Sequence, residues 1–378
     1  MTCPMRGRCA LVAAVLAALF AFPQAALAGF VDVPKGFWAR PEIRWATRYG
    51  WIAPRTPTRF APRHSVSRLN ASRVLVRIAH GLFGAAAGPD PFAQAVAAGW
   101  ISKGDGSNGT ITQLEFDRGL VRVLGLAHAA KTLNHLQTAD GWAPRLPDGF
   151  GVEQEVRAVG ARLNVPDGFD DWELWPSDTL RRADVAVQAF QVMHMSSWSI
   201  GAAKAKVALA RALPAWSPLK RKVLGFALRY AGAPYVWGGT SPDPQSPLGS
   251  PVAGGFDCSG FVWWVMKLQT YHAGGVTWTG NAAIQARTTY DMAASLGIKH
   301  RVPRSKLRPG DILFWSSDPK GVRTSWRTVY HAGIYLGNGW TVNSHGSGAG
   351  VTIDYMGAGA GWFHDAFAFG WRVMPRGA

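Results

Sequence analysis

Two stretches of this 378-residue chain repeat each other closely enough to restrict what its first half can become. Residues 41–52 read PEIRWATRYGWI and residues 91–101 read PFAQAVAAGWI, so Trp51 and Trp100 stand 49 positions apart at the end of the same pattern. Each copy is a short helical stretch stopped by Gly-Trp-Ile and followed by a second helical stretch. In the first, Ser67-Arg68-Leu69-Asn70 caps a helix over Ala71 to Leu82, with Val74, Leu75, Ile78 and Leu82 on one stripe. In the second, Thr110 to Glu115 leads into Phe116 to Leu126. A third, fainter copy has Val152 to Leu163 as its first helix, Leu180-Arg181-Arg182-Ala183-Asp184 as its motif and Val185 to His194 as its second. Units of this size cannot bury a face alone and stack on one another. One compact all-α body over 29–195 is therefore expected, with units at about 29–85, 88–128 and 140–195.

The second half is arranged around Gly255 to Met266, read GFDCSGFVWWVM. Cys258 lies there, and the other two cysteines, Cys3 and Cys9, fall inside an apparent export signal. In that signal Arg6 and Arg8 precede an apolar run from Ala10 to Phe22, and Ala26-Leu27-Ala28 supplies small residues for cleavage after Ala28. The run is too short to span a bilayer, which takes about 20 residues. A soluble, exported mature protein at the cell envelope is expected. An odd thiol in such a protein is a link to another chain or a reactive group. The turn at Ser259-Gly260 and the apolar run Phe261 to Leu268 put Cys258 in the first turn of a buried helix. There the helix dipole and free N–H groups are expected to draw the thiol pKa from about 8.5 toward neutrality.

Loss of Arg6 and Arg8 lowers the formal charge from +17 to +15. Export and the scatter of the arginines argue against nucleic acid as the partner and favour anionic wall polymers. Residues 196–216, polar, Ala-rich and Pro-punctuated, read as a hinge. Ser217 and Pro218 then start a helix through Tyr230, which delivers Tyr235. An insertion from Pro242 to Ala253 borders the cysteine, and the long segments 270–287 and 316–328 are candidate lids.

Cleaving an amide needs a nucleophile, a base and oxyanion donors. Cys258 is the nucleophile and its backbone N–H the first donor. His331 heads an alternating strand, His331 to Leu336, that turns at Gly337-Asn338-Gly339 into Trp340 to Ser344, and is the candidate base. The base needs an orienting partner on that second strand. Asn343 and His345 share a face there, and hairpin spacing alone does not separate them. A zinc site from Cys258, His331 and His345 has no supporting ligand spacing, and neither metal nor cofactor is expected.

Four ordered motifs carry a resemblance over roughly 217–378: Pro234 to Thr240 (PYVWGGT), Gly255 to Phe261 (GFDCSGF), Leu307 to Phe314 (LRPGDILF) and His331 to Gly339 (HAGIYLGNG). Together they resemble the NlpC/P60 family of cell-wall peptidases. The resemblance implies an α+β, papain-like domain with helices on an antiparallel sheet. It also implies a catalytic set of Cys258, His331 and Asn343, the last twelve positions beyond the histidine, with His345 as alternative third member. Tyr235 is implied as an oxyanion donor, and Asp257 and Ser259 as residues meeting a substrate amine. The 23 positions from Tyr235 to Cys258 exceed the gap usual in that family.

The first half resembles S-layer homology modules, on Phe30-Val31-Asp32-Val33-Pro34, the Trp38-Ala39 pair and the motif before each second helix. That resemblance implies wall-polymer binding through Arg68 and Arg182, although Thr112-Gln113 has lost the arginine. The expected function is a hydrolase of peptidoglycan stem peptides, at the γ-D-glutamyl to diamino acid bond, anchored by its repeats. A cysteine amidase or acyltransferase, or a wall-binding protein without activity, are the alternatives.

Overall fold

The structure, a computed structural model, describes residues 29–375 apart from 164, 168–169, 173, 209–211, 250, 322–325 and 347–348. The expected export signal, 1–28, lies outside the described residues. The fold is α+β: helices fill the first half, and a six-stranded sheet organises the second.

Three helix pairs build the first half: α1 (Arg40–Arg48) with α2 (Arg68–Phe83), α3 (Pro91–Ala97) with α4 (Gln113–Val123), and, after α5 (Ala127–Asn134), α6 (Phe150–Ala158) with α7 (Arg182–His194). The second helix of each pair begins three residues before the apolar stripe, because the polar motif itself forms the first turn. Ser67 Oγ accepts from Asn70 N, Thr112 and Glu115 bond reciprocally, and Arg181 N donates to Asp184 Oδ2. These three starts also meet one another. Backbone bridges join Ser65 to Arg181, Ser67 to Thr110 and Thr112 to Thr179, closing a ring across the three units. Ile43, Leu75, Ile78, Phe116, Leu120, Val156 and Val185 pack beneath it in one core.

The central sheet is antiparallel, with strands β1 (Arg301–Val302), β2 (Ile312–Ser316), β3 (Val329–Gly337), β4 (Trp340–His345), β5 (Gly350–Tyr355) and β6 (Phe367–Trp371) in the spatial order β5-β4-β3-β2-β6-β1. Against it pack α9 (Pro218–Leu228) and α10 (Cys258–Val262), the latter continuing as a π-helical turn, Trp263–Lys267.

The segment read as a hinge is built in. Ser199–Ala208 is a helix, α8, with Ala203 and Val207 buried, and Trp216 is buried with its indole N–H on the Leu336 carbonyl. Its sparse apolar stripe in an Ala-rich background hides the helix in the sequence. One hydrophobic core runs through the junction, from Leu133, Leu136 and Phe150 to Val223, Leu224 and Ile334. The candidate lid at 270–287 contains a hairpin instead, with Tyr271 buried and its hydroxyl on the Val265 carbonyl. Among the described residues no helix is long and apolar enough to cross a membrane.

Candidate active site

Cys258 enters α10 behind Asp257, whose carboxylate caps the helix by accepting from Gly260 N. Its neighbours fix it tightly. A Cβ on Gly260 would lie 1.9 Å from the Gly239 carbonyl oxygen, so the Gly238-Gly239 loop and the helix start touch backbone to backbone. Arg287 locks that contact. Its guanidinium donates to both Asp257 oxygens (3.1 and 3.0 Å), to Ser259 Oγ (2.7 Å) and to the carbonyls of Gly238 and Gly239. Asp257 and Ser259, expected at a substrate amine, are thus engaged inside the protein, where Gly238 N also donates to Asp257. Arg287 carries no motif that marks it in the sequence. Tyr235 is buried and bridges Phe256, two residues before the cysteine.

The thiol lies against β3. Cys258 Sγ is 3.3 Å from Thr289 Oγ1 and 3.9 Å from the Tyr330 carbonyl oxygen, and the Ala332 N–H also faces it. These last two contacts bracket His331. The imidazole is buried, and its Nε2 stands 2.9 Å from Asn343 Oδ1, an acceptor, which puts the ring proton on Nε2 and leaves Nδ1 as the basic nitrogen.

Hairpin register explains why the sequence left the third residue open. Paired positions run Thr341 with Tyr335 and Val342 with Ile334, so the same register continued sets His345 opposite His331 and Asn343 opposite Gly333. Gly333 has no side chain, and a Cβ there would come within 2.9 Å of the Asn343 Cβ. The imidazole reaches Asn343 diagonally across that gap. His345 stands edge-on, its ring 5.2 Å from that of His331 and its Nδ1 on the Gly346 carbonyl.

Burial governs the charges. Trp315 and Trp362 pack within 5.2 and 5.4 Å of the imidazole, and this desolvation, with His345 adding to it, lowers His331 to about 3 despite the Asn343 bond. Desolvation, with the Asp257 charge, pushes the Cys258 thiol up to about 11 against the opposing bonds from Thr289, Ala332 and Ser259. The expected shift toward neutrality is therefore reversed. Helix-terminus donors are present, but they do not offset removal of the sulfur from water. The resting pair is a neutral thiol and a neutral imidazole. Around them Trp237, Tyr290 and Tyr330 are exposed, Tyr290 stacking on Trp326 and Tyr330 accepting from Trp362 Nε1.

Arg68 and Arg182 are buried in the helical region. Arg68 pairs with Glu115 at 2.6 Å and donates to Ser102. Arg182 lies over the Phe60 ring and donates to the carbonyls of Phe60 and Ala53. Both guanidinium groups tie loops to the repeat core. A cleft of about 940 Å³ nearby is lined by Arg48, Arg55, Arg73 and Arg77 with Trp51 and Asn70.

A cysteine at a helix start, set against a strand whose imidazole is bonded to an asparagine amide, is an arrangement that can support thiol-dependent acyl transfer. Residues 232–367 form an NlpC/P60 family domain, as the family model matched over that span shows. Relatives include the bifunctional muramidase/DL-endopeptidase CwlT of Bacillus subtilis, 30% identical over 38% of this chain and 33% of its own. A murein DD-endopeptidase of Escherichia coli is 29% identical, over 33% of this chain and 36% of its own. The gamma-D-glutamyl-L-lysine dipeptidyl-peptidase of Bacillus subtilis is 30% identical, over 33% and 31%. The chain thus spans about a third of the length of the curated relatives it matches.

Proposed function

We propose that the protein is an exported cell-wall hydrolase, a cysteine endopeptidase that cuts peptidoglycan stem peptides at the γ-D-glutamyl to diamino acid bond. The observation that carries this reading is the 2.9 Å bond from His331 to Asn343, which turns the basic Nδ1 away from the asparagine on the strand that contacts Cys258 Sγ. Two of the relatives, a DL-endopeptidase and a γ-D-glutamyl-L-lysine peptidase, favour that bond.

Substrate binding brings an acyl carbon to Cys258. The thiol proton passes to His331 Nδ1 as the sulfur–carbon bond forms, and the Cys258 N–H, at the helix start where N–H groups have no intrahelical partner, donates to the oxyanion. Collapse breaks the carbon–nitrogen bond, and His331 returns the proton to the leaving amine. Water then attacks the thioester, giving its proton to His331, and the second collapse restores the thiol. Asn343 holds the imidazolium in place throughout. The exposed rim of Trp237, Tyr290 and Tyr330 suits an extended peptide.

The basic cleft of the helical region is the part of this proposal that concerns the wall, with Arg73 and Arg77 meeting an anionic secondary polymer. Export by way of residues 1–28 belongs to the same reading. Digestion of defined muropeptides, followed by mass spectrometry, tests the chemistry. The wild type should release fragments ending in D-glutamate, and Cys258→Ala should release none while still pelleting with wall sacculi. Cleavage by Cys258→Ala, or none by the wild type, overturns the peptidase reading. Unchanged pelleting after Arg73→Glu and Arg77→Glu overturns the polymer site.

A further inference from the structure

Behind Asn343 the hydrogen-bond chain continues out of the NlpC/P60 domain. Asn343 Nδ2 donates to Asp354 Oδ2 at 3.1 Å, on the neighbouring strand β5. Asp354 Oδ1 in turn accepts from Lys206 Nζ at 3.1 Å, and the same ammonium donates to the Ile353 carbonyl at 3.2 Å. Lys206 sits on α8, before the first residue of the matched domain. A second fastening lies beside it. Gln154 Oε1, from α6, accepts from Thr352 Oγ1 at 2.6 Å and from Ile353 N at 3.0 Å, so the edge strand is held by two helices of the first half.

The chemistry of each link is directional. An ionised Asp354 only accepts, so it compels Asn343 to present its NH2 to β5 and therefore its oxygen to His331. That oxygen requires a proton on Nε2, and the proton on Nε2 is what leaves Nδ1 basic. Remove the cation, and a carboxyl in this setting takes up its proton at higher pH; the neutral acid also donates and so no longer dictates the amide's orientation. We propose that Lys206 is a positioning residue for the catalytic base, fixing the His331 tautomer through Asp354 and Asn343. The helical region is thereby a working part of the peptidase as well as its tether. The inference rests on the peptidase reading for its consequence in turnover and on the bond chain alone for its consequence at the imidazole.

The charged neighbours agree with this arrangement. Burial raises Asp354, but Lys206 and His345, with the Asn343 bond, outweigh it and leave the carboxyl below its ordinary range. On the other side Lys206 faces Glu155 of α6, whose carboxyl burial raises to about 7 against the pull of the lysine. Below neutral pH Glu155 is therefore uncharged, and Asp354 is the anion left facing the lysine.

The test uses the full chain with Lys206→Met and Lys206→Arg, and Lys206→Gln as a second uncharged variant in case the first fails to fold. Muropeptide cleavage is followed across pH, and ¹⁵N-histidine spectra report the His331 tautomer. The uncharged variants should lose about 10- to 100-fold in kcat, the scale seen when a partner that orients a reactive ligand is removed. KM should stay within about twofold, since no substrate contact is touched. The loss should deepen at low pH as Asp354 protonates, and the Nε2–H signature of His331 should give way to mixed tautomers, while Lys206→Arg recovers most of both. Uncharged variants with wild-type kcat, pH profile and tautomer overturn the proposal. If the wild type cleaves no muropeptide, the peptidase reading falls by itself, and an unchanged His331 spectrum in Lys206→Met is what overturns the positioning role.

Discussion

At the scale of single residues, the controlling fact is that His331 is buried as a neutral base. Its folded pKa, about 3, lies below the ordinary 6.5. A group depressed in this way supports the fold fully above its unfolded pKa, and that support is lost as pH falls toward the folded one. The loss is about 1.4 kcal/mol per pH unit between pH 6.5 and 3. Glu155 and Asp184, raised by burial to about 7 and 6, act in the opposite sense over part of the range. A difference between proteins separates the contributions. Urea denaturation of wild type and His331→Gln at pH 7 and pH 4 should show the wild type losing on the order of 3 kcal/mol more than the variant. Parallel losses would mean that the imidazole is not held neutral. Asn343 shows how far one residue could be read beforehand. Hairpin spacing left two candidates on one face and the family's twelve-position spacing pointed to Asn343; the His331–Asn343 bond crosses the place where Gly333 has no side chain, a detail that hairpin spacing does not weigh.

Among elements, the start of α10 is held by more than its own cap. Arg287 joins the helix N-terminus, through Asp257 and Ser259, to the loop carrying Gly238 and Gly239. A lysine keeps the charge but not the planar fork that reaches two carboxylate oxygens and two carbonyls together. Arg287→Lys should therefore cost about 1–3 kcal/mol of stability and lower kcat/KM by at least about tenfold as the nucleophile shifts. Thermal melts and steady-state cleavage check both, and a variant matching wild type in each would remove Arg287 from the site. The second helices of the first two units were legible because each has an apolar stripe and a side-chain cap, Ser67 and Thr112. Arg287 was not, since a residue that bonds backbone carbonyls leaves no pattern in the sequence. A different reason, its Ala-rich composition, hid α8. Its alanines read as a linker until Ala203, Lys206 and Val207 are seen packed against the rest.

For the whole molecule, the later helices of the first half share a hydrophobic core with the sheet, from Leu133 and Phe150 to Ile334 and Ile353. The boundary drawn from composition at 196–216 is therefore not a mechanical one. The α+β class, the cysteine and the histidine strand were readable from ordered motifs; the attachment of the domain to the helices before it was not, because it rests on Gln154 and Lys206 meeting a strand nearly 150–200 positions away. What joins these scales is the covalent step at one sulfur that we propose. Acid-quenched turnover of a defined muropeptide, followed by peptide mapping, measures it directly. The account predicts a thioester carrying the stem-peptide acyl group on Cys258, present in the wild type and absent in His331→Gln. Product release with Cys258 never acylated, or an adduct on another residue, would contradict it.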